Sequence, residues 1–532
     1  MSKTLRPYQA ETIQRMKRSH SGLDGSEMGT GKTLVGTELL RAVAVKGKVP
    51  RALIIAPINT HRQWLRSFEE QYPSLKGSPY LRIIGTPKSD PESWALLTKR
   101  RPGVYIITWE AMRGRVSKAV YGDLYNGSKV TDAAIKAAMK GGHVPPWTRT
   151  GTWDLVIADE SHRMQNRHST TRRVIKMIKA HRRHASSGTA AGDRPEGLWS
   201  TLNWLWKEKY PNYWPWVEKH MEVKEVYISP TDTVRKIVGE KYPGSTIADI
   251  PAYVRWTLDE VADHLPDVIE RVVTVPMGSI QRKQYDSFLH NSFAWIEENF
   301  GDIDQMDGSV TNHPVFAGLT IESRTRLRQA ALGQLNAREV KKYGADDTWN
   351  PDEENKLEID FVRTGDQPKV KAIMDIMDDL PEGEPLLVFT HAAKWAVMAA
   401  ELLDKEYGPA RAWTGALSTK KREELKEEFG SSVRVMVAQV ASLAEGVDGL
   451  QHKARCEVWA SPTDFGVINS QAMARLHRPG QKHKVQRWIL QSEDSIDGLV
   501  QDSLDLKRDI TDKMFLDEIR RARGRARRKE MV

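Results

Sequence analysis

The sequence predicts an α/β fold built on parallel sheets, because short apolar runs alternate along it with amphipathic segments. Residues 61–73 have helical periodicity that places Trp64, Leu65 and Phe68 inward. This alternation is typical of a parallel sheet, whose ligands bind at the carboxyl ends of the strands. The runs with buried-strand character in the first half are ALIIAP, VYIIT and LVIA, at residues 52–57, 104–108 and 155–158.

A second α/β segment begins near residue 367. It has strand-like runs separated by helical segments, and the most charged of these helices is KKREELKEEF. The first half contains a glycine-rich phosphate-binding motif, described next, and this second segment has none. We therefore expect one nucleotide to bind between the two halves of the chain. The strand-like runs lie at residues 386–390, 411–413, 433–438 and 456–460.

The stretch SEMGTGKT at residues 26–33 predicts a phosphate-binding loop, called the phosphate loop below. Its glycines allow successive backbone N–H groups to point at an anion. Lys32 can reach the outer phosphates, and the Thr33 hydroxyl can ligate Mg²⁺. Residues 34–45 have one apolar helical face, so the phosphates would lie at a helix N-terminus. Ser26 departs from the full pattern, which has glycine there, and an ordinary glycine turn is the alternative interpretation.

Two carboxylates, Asp159 and Glu160, directly follow the apolar run at 155–158. Neighbouring residues at a strand end can point to different sides of a site. We therefore expect Asp159 to hold Mg²⁺ and Glu160 to orient and deprotonate the attacking water. The alternative is an acidic pair that only stabilises a helix N-terminus. The phosphate loop upstream favours the catalytic interpretation.

Two weaker signals lie near these motifs. Gln9, in the segment LRPYQ, has the donor and the acceptor needed to read an adenine edge, although a surface glutamine at a helix start would look the same. The segment SSGTA at residues 186–190 has hydroxyls that could contact Glu160 and His162 and link hydrolysis to motion. A plain Ser/Gly/Thr turn is the alternative there.

Length and charge set broad limits on function. The 532 residues allow two or more domains. Lys and Arg outnumber Asp and Glu by 80 to 70, so a polyanionic partner is plausible. The single cysteine, Cys456, excludes intrachain disulfides and cysteine-based zinc fingers. The N-terminus lacks the apolar core of a signal peptide and no run reaches the roughly 18 apolar residues of a membrane span. We expect a cytoplasmic protein, in a bacterium or a virus-infected host.

Two other segments have a distinctive composition. Residues 195–220 contain five tryptophans, whose spacing favours a packed helical core over a surface that stacks bases. The basic C-terminal tail, residues 506–532, could bind a phosphate backbone without sequence preference or could serve solubility alone.

Two arginines in QAMARLHRPGQ are candidates for transition-state stabilisation. Arg475 and Arg478 are three residues apart, so on a helix they would share a face. Guanidinium groups offer forked donors that suit phosphate oxygens. If the halves close, these charges could speed phosphoryl transfer by about 10³–10⁵. A surface helix with salt bridges is the alternative.

These motifs together resemble a known family. LRPYQ, EMGTGKT, IIAPINTHRQW, IITWEAM, DESH and SGTA occur in the order found in superfamily 2 helicases, and they are most similar to the Swi/Snf-type DNA translocases. HAAKWA, AEGVDGL and QAMARLHRPGQ continue the resemblance, which covers residues 5–490. Two departures are Ser161 in DESH, where alanine is commoner, and QVASLAEGVDGL, which matches the glycine-rich segment only loosely.

The resemblance implies two RecA-like parallel-sheet lobes in tandem with a helical insertion. The boundaries that we expect are an N-terminal lobe at 1–270 with a Trp-rich helical insertion at about 195–250, a connecting helical region at 271–366, a C-terminal lobe at 367–505 and the basic tail at 506–532.

The resemblance also implies ATP and Mg²⁺ as cofactors and DNA as partner, with duplex favoured over single strands or RNA. The residues expected to bind ATP are Gln9, Met28, Gly29, Thr30, Gly31, Lys32, Thr33 and Leu34, and those expected to hold the metal are Thr33 and Asp159. The catalytic candidates are Lys32, Asp159, Glu160, Arg475 and Arg478. The nucleic-acid candidates are Asn59, Thr60, Thr108 and Thr414.

The function predicted from all this is that of a DNA translocase, which converts ATP hydrolysis between two lobes into movement along DNA. A helicase that separates strands of DNA or RNA is the alternative among enzymes. From a different class, the alternative is a non-catalytic, ATP-gated switch that binds nucleic acid. The intact set of lysine, carboxylates and arginines argues against such a switch.

Overall fold

The chain divides into two compact units in the computed structural model. The first unit holds the described residues up to 262, and the second holds nearly all of those from 265 to 506. The structure describes residues 4–44, 49–85, 89–113, 133, 151–190, 195–229, 232–262, 265–300, 321–340, 356–363, 367–444 and 447–514. Most of the basic tail lies outside these ranges.

The first unit is built on a seven-stranded sheet in which every pair of neighbouring strands is parallel. Its spatial order is β3-β4-β2-β5-β6-β1-β9, so the strands are not laid down in chain order. The strands are β1 (Ser21–Asp24), β2 (Arg51–Ile55), β3 (Leu81–Ile83), β4 (Gly103–Ile107), β5 (Trp153–Asp159), β6 (Ala180–Ser186) and β9 (Tyr253–Val254). The parallel α/β class predicted from the apolar runs is confirmed.

Helices flank this sheet. They are α1 (Pro7–Arg18), α2 (Lys32–Glu38), α3 (Leu40–Val43), α4 (His61–Gln71), α5 (Pro91–Thr98), α6 (Thr170–Ile175), α7 (Leu198–Leu205), α8 (Tyr213–His220), α9 (Ser245–Ala248) and α10 (Leu258–Val261). Side chains of β2 alternate between two apolar clusters, since Leu53 and Ile55 belong to one and Ala52 and Ile54 to the other. Both faces of the sheet are therefore covered, as parallel sheets require.

The tryptophan-rich segment is mostly core, as its spacing predicts. Trp199, Trp204 and Trp216 are buried, whereas Trp214 is 37% exposed, with guanidinium groups near its ring. The expected helical insertion needs correction, because residues after α8 form an antiparallel hairpin of β7 (Met221–Ser229) and β8 (Asp232–Glu240). Both stretches are rich in β-branched residues, which favour strands over helices.

The second unit is built on a six-stranded sheet with the order β10-β17-β16-β13-β15-β14, again with parallel neighbours throughout. Its strands are β10 (Val268–Val275), β13 (Leu386–Thr390), β14 (Ala410–Trp413), β15 (Val435–Gln439), β16 (Cys456–Trp459) and β17 (Val485–Ser492). Because β10 pairs with β17, the predicted boundary at residue 270 lies inside a strand of this second sheet.

The region predicted as a helical connection, 271–366, is mixed. It contains α11 (Ser279–Phe300) and α12 (Ile321–Leu332), but also an antiparallel pair of β11 (Leu335–Val340) and β12 (Lys356–Phe361). The other helices of this half are α13 (Pro368–Asp378), α14 (Ala393–Tyr407), α15 (Thr419–Glu428), α16 (Val440–Leu443), α17 (Gly466–Met473) and α18 (Ile496–Met514). Among the described helices, none has the length and apolar character that crossing a membrane demands.

Candidate nucleotide and catalytic site

The phosphate loop connects β1 to α2, which is the strand, loop and helix order that its sequence predicts. Gly29 and Gly31 have φ angles of 83° and 88°, in the left-handed region that favours glycine. A Cβ atom at Gly31 would lie 2.4 Å from Nε2 of Gln9. The left-handed backbone at residue 31 therefore favours glycine, and the Gln9 side chain occupies the space beside it.

The side chain of Lys32 lies within the loop. Its ammonium group donates to the carbonyl oxygens of Ser26 (2.7 Å) and Glu27 (2.9 Å). The segment that follows β6 also approaches the loop, because a Cβ atom at Gly188 would lie 3.5 Å from Lys32 Nζ and 3.3 Å from Met28 Cγ. The loop lysine and the 186–190 segment therefore lie side by side at one edge of the sheet.

Gln9 is buried and bonded to the loop, so it is not a surface residue at a helix start. Its Nε2 donates to the carbonyl oxygen of Thr30 at 3.1 Å, and its Oε1 accepts from the N–H of Arg6 at 3.0 Å. The Tyr8 hydroxyl donates to the same Thr30 oxygen at 2.6 Å. The start of α1 thus holds the loop in place.

The other residues expected to bind the nucleotide also lie in the loop or the first turn of α2. The Thr30 side chain is buried and donates to the carbonyl oxygen of Glu27 at 2.8 Å. Leu34 N–H donates to the Gly31 carbonyl at 2.9 Å. The Thr33 hydroxyl oxygen accepts from Nε2 of Gln63, in α4, at 3.2 Å.

Ser26, the departure from the usual glycine, has a structural role. Its hydroxyl oxygen accepts from the backbone N–H of Trp256 at 3.1 Å. Next to it, the Glu27 carboxylate accepts from the Leu258 N–H at 2.9 Å and lies 3.6 Å from the Arg255 guanidinium. The segment 255–258 therefore braces the first half of the phosphate loop through side chains that a glycine could not provide.

Asp159 lies at the end of β5 with its carboxylate buried. Oδ1 accepts from the Ser186 hydroxyl at 2.9 Å and from the Glu160 N–H at 3.1 Å, and Oδ2 accepts from Nε1 of Trp64 at 2.8 Å. Burial raises the pKa of Asp159 to about 6, and the neighbouring Glu160 carboxylate adds to that rise. The bonds from Trp64 and Ser186 act in the opposite direction.

Glu160 has a left-handed backbone, with φ 51° and ψ 54°. For a residue with a side chain, this conformation costs about 1–2 kcal/mol and tends to persist where the surroundings impose it. Oε2 of Glu160 lies 3.3 Å from Nδ1 of His162 and accepts from the Ser187 hydroxyl at 3.4 Å.

The expected contact of the 186–190 hydroxyls with the Glu160/His162 pair is present. Ser187 Oγ lies 3.0 Å from Nδ1 of His162 and also accepts from the Thr189 N–H at 3.2 Å. Ser186 and Ser187 therefore contact the two carboxylates separately, the first through Asp159 and the second through Glu160.

Trp64 belongs to the candidate site, although its position in the helical pattern predicts only that it is buried in the core. It is fully buried, and its indole N–H bonds to Asp159. A second indole, that of Trp109, donates to the backbone oxygen of Asp159 at 2.9 Å. A usable signal exists in the sequence, because a buried indole needs an acceptor and a carboxylate at the end of a nearby strand can supply one.

The two candidate arginines are not on a helix, which corrects the prediction that they share a helical face. α17 ends at Met473, and Arg475 and Arg478 lie in the turns that follow. Arg475 donates to the backbone oxygens of Gln471 (3.0 Å) and Ala444 (2.6 Å). These bonds use carbonyls that the end of a helix leaves open.

Arg478 forms an ion pair within the second unit. Its NH1 lies 3.2 Å from Oδ1 of Asp448. Burial alone would raise the pKa of Asp448, but the Arg478 charge and hydrogen bonds from Gln451 and the Gly449 N–H lower it below its ordinary value.

Three nucleic-acid candidates lie at the carboxyl ends of neighbouring strands in the first sheet. Asn59 and Thr60 form a short 3₁₀ turn after β2, and Thr108 follows β4, which pairs with β2. Thr60 Oγ1 donates to the Pro57 oxygen at 2.8 Å, and Thr108 Oγ1 accepts from the Ala111 N–H at 2.9 Å. Thr414 follows β14 in the second unit and is buried.

Comparison with known proteins gives a consistent picture. A family model described as SNF2-related domain matches residues 9–331. The DNA repair and recombination protein RAD26 of Saccharomyces cerevisiae is 22% identical over 96% of this chain and 47% of its own length. The putative ATP-dependent helicase/translocase YwqA of Bacillus subtilis is 24% identical over 69% of this chain and 36% of its own length.

Two further similarities complete the comparison. The human chromodomain-helicase-DNA-binding protein 7 is 22% identical over 94% of this chain and 16% of its own length, so the chain spans less than half of each of these relatives. Among solved structures, the Sulfolobus solfataricus SWI2/SNF2 ATPase core in complex with dsDNA covers 100% of this chain and 96% of its own, with 17% identity. Its TM-score is 0.38, too low to match the two chains element by element.

Proposed function

The chain belongs to the SNF2-related family, and on that premise we propose that it is an ATP hydrolase that moves along duplex DNA. The observation that carries the proposal is the cluster at one edge of the first sheet. There the phosphate loop, the 186–190 segment and two carboxylates with separate contacts lie together. Its relatives, which include a DNA repair and recombination protein and a putative helicase/translocase, support the same choice.

The residues present fit ATP and Mg²⁺. Gly29 and Gly31 have the left-handed backbone that lets a loop turn its N–H groups toward an anion, and the Lys32 ammonium lies in the same loop. In this proposal Met28 to Leu34 would hold the phosphates, and Thr33 and Asp159 would hold the metal through oxygen ligands, which Mg²⁺ prefers. When bound, Mg²⁺–ATP supplies the phosphoryl group that is cleaved and the charge that offsets its oxygens.

The side chains of the chain would divide the remaining work. Lys32 would leave the loop carbonyls and place its charge against phosphate oxygens. Glu160 would accept a proton from the attacking water, and its contacts with His162 and Ser187 would fix the direction of its carboxylate. Gln9, next to the loop, would complete the nucleotide pocket at its adenine end.

The arginines of the second unit keep their proposed role. Arg475 and Arg478 would supply positive charge to the phosphoryl group in the transition state, which is worth about 10³–10⁵ in rate in related chemistry. Arg478 would first have to leave Asp448, from which it lies 3.2 Å away. The family resemblance is the support for this role.

Contacts with DNA would come from the turn at Asn59 and Thr60 and from Thr108, at adjacent strand ends, and from Thr414 in the second unit. Short polar side chains and backbone N–H groups at such positions suit phosphate contacts that carry no sequence information. The ATPase rate without nucleic acid and with duplex DNA, single-stranded DNA and RNA tests this partner. We expect the highest rate with duplex DNA, and a highest rate with RNA would contradict it.

The first mutational prediction is that Glu160→Gln strongly slows turnover and leaves ATP binding intact. Loss of the general base should lower kcat by about 10²–10⁴, because a positioned base contributes that much. The measurement is single-turnover ATP hydrolysis together with the nucleotide Kd. The control is Glu11→Gln, an exposed glutamate of α1, which should hydrolyse ATP like the parent. Equal rates in the two variants would remove Glu160 from the mechanism.

The same preparation separates the alternatives. A translocase displaces the third strand of a triplex without opening a forked duplex, whereas a strand-separating helicase opens the fork. A non-catalytic switch would bind ATP and show no turnover in the parent protein either.

A further inference from the structure

One helix of the first unit contacts both residues that are proposed to hold Mg²⁺. Adjacent side chains of α4 make these contacts. Trp64 Nε1 donates to Oδ2 of Asp159 at 2.8 Å, and Gln63 Nε2 donates to Oγ1 of Thr33 at 3.2 Å. Trp64 and Asp159 are 95 residues apart in sequence. The contact is buried, whereas the one made by Gln63 is exposed to solvent.

The Trp64 ring is fixed from several sides. It has no exposed surface, and a Cβ atom at Gly36, in α2, would lie 2.5 Å from the ring. Ile157 of β5 is the next neighbour of that position, and the ring centroid of Phe68 lies 6.0 Å from that of Trp64. The surrounding packing therefore holds the indole in place, with its N–H pointing at the carboxylate.

The carboxylate needs this contact because its torsion is soft. The χ2 torsion of aspartate has a broad, roughly two-fold preference, so contacts must set its orientation. Two donors, Ser186 Oγ and the Glu160 N–H, both bond to Oδ1. Among the described residues, Oδ2 accepts from Trp64. Because the two oxygens turn together about χ2, this third hydrogen bond, made to the opposite oxygen, further restricts the rotation that the two donors at Oδ1 already oppose.

We propose that Trp64 is a positioning residue, whose indole N–H fixes Oδ2 of Asp159 in the orientation that receives the Mg²⁺ of the bound nucleotide. This inference rests on the proposed function. Groups that orient metal ligands affect metal affinity or activity by about 10–100-fold when they are removed. Trp64 acts on the metal through Asp159 and touches no reacting atom.

The test uses fluorescence anisotropy of mant-ADP bound to the full chain, titrated with MgCl₂ and measured again in EDTA. The variant is Trp64→Phe, and the matched control is Trp204→Phe. Trp204 is also buried, but its N–H finds no acceptor in the described part of the chain. We expect Trp64→Phe to raise the Mg²⁺ concentration for half-maximal tightening by about 10–100-fold. Affinity in EDTA should stay within about two-fold, and the control should match the parent in both.

A structural role alone would weaken mant-ADP binding equally with and without Mg²⁺, and that outcome would overturn the inference. So would an unchanged Mg²⁺ dependence in Trp64→Phe. If the phenyl ring fails to fill the site and the variant does not fold, benzothienylalanine at position 64 keeps the shape of the indole and removes only the N–H. The same 10–100-fold shift is expected there.

The parent protein separates the inference from the proposed function. If Mg²⁺ does not tighten mant-ADP binding to the parent, both fall together. If Mg²⁺ does tighten it and the Trp64 variants behave like the parent, the inference about Trp64 falls and the ATPase proposal stands.

Discussion

The two units share a parallel-sheet architecture, but the buried carboxylate of the candidate site in the first is held differently from the acids that pair with three buried cations in the second. In the first unit, Asp159 at a strand end bonds to an indole, a hydroxyl and a backbone N–H, all of them neutral donors. Arg172, also buried there, contacts the Asn203 amide and the ring of Trp199. The hydrogen bonds to the Asp159 carboxylate thus come from neutral donors, and the side chain of Arg172 contacts an amide and a ring.

In the second unit, three buried cations pair directly with acids. Lys369 Nζ lies 2.6 Å from Asp497 Oδ2 and also donates to two backbone oxygens. The other pairs are Arg328 with Asp464, at 2.9 Å, and Arg487 with Glu457. The partially or fully buried acids of these pairs are neutralised within the fold.

This difference distinguishes a carboxylate that could bind a ligand from carboxylates that stabilise the fold. Neutral donors orient a carboxylate but leave its charge in place, which is why burial can raise the pKa of Asp159 to about 6. Such an acid gains from an external cation. An acid with a lysine or arginine beside it has no such need, and its partner stabilises the fold instead. The same chemical group is thus available to a ligand in one unit and structural in the other.

The largest effect expected from this contrast is the loss of a paired charge in the second unit. Lys369→Met keeps the length of the side chain and leaves Asp497 buried without its cation. We expect the free energy of unfolding to fall by about 3–5 kcal/mol, as for other buried pairs from which one partner is removed. Chemical denaturation measures it.

The control for that variant is an exposed pair. Lys420→Met removes a lysine that is 88% exposed and lies 3.7 Å from Glu424. Its effect should stay within about 0.5 kcal/mol. If Lys369→Met is no worse than Lys420→Met, the second unit does not depend on its buried pairs and the contrast between the units fails.

A smaller effect concerns pH and a buried histidine of the first unit. The ring nitrogens of His184 have no partner among the described residues, and burial lowers its pKa to about 4, with Asp24 opposing the shift. Between pH 6.5 and 4 the unfolded chain therefore binds a proton that the folded chain refuses. As the pH is lowered through this window, the free energy of unfolding decreases. The contribution of His184 to this decrease is about 2 kcal/mol at pH 5.

His184→Leu isolates that contribution, because leucine has similar size and no titration. The stability advantage of the variant over the parent should grow by about 2 kcal/mol between pH 7 and pH 5. A constant difference would show that His184 does not titrate as its burial predicts.

A second buried histidine, His391, lies in the second unit. Burial and the nearby Arg328 and Lys369 charges hold the pKa of His391 well below its ordinary value. The contribution of His391 to the pH dependence of stability should therefore remain in the His184→Leu variant.

The smallest effect concerns a neutral contact of the phosphate loop. Ser26→Ala removes the acceptor of the Trp256 N–H, which is 3.1 Å away. We expect a loss of about 1 kcal/mol in the free energy of unfolding, the net value of a typical hydrogen bond. Ser78→Ala, at an exposed hydroxyl that accepts from the Tyr80 N–H, is the control and should change less. Equal changes in the two variants would mean that the hydrogen bond between Ser26 and Trp256 does not contribute measurably to stability.

Much of the architecture and the first-unit site could be predicted, because periodicity and glycine chemistry are local. The apolar runs mark the strands, GTGKT marks the loop, and Asp159 and Glu160 mark the end of β5. The inward face of α4 was also predictable, since Trp64 and Phe68 are fully buried.

The remainder depends on partners that are distant in sequence. Periodicity shows that Trp64 faces inward, but not that its N–H meets Asp159. Ser26 reads as a departure from a pattern until Trp256, 230 residues later, lies against it. The prediction that Arg475 and Arg478 share a helical face was wrong, because α17 ends before both residues. The Arg475 guanidinium instead donates to backbone carbonyl oxygens.

Glu27 shows what such distant contacts imply for movement. Its carboxylate accepts from the N–H of Leu258, the first residue of α10, and its own N–H donates to the Trp256 oxygen at 2.9 Å. Soon after α10 the chain passes from the first unit to the second. A movement of the loop away from residues 256–258 would break both hydrogen bonds, whereas a movement that carries these residues along would keep them. The two bonds therefore couple the position of the phosphate loop to the segment that leads into the second unit.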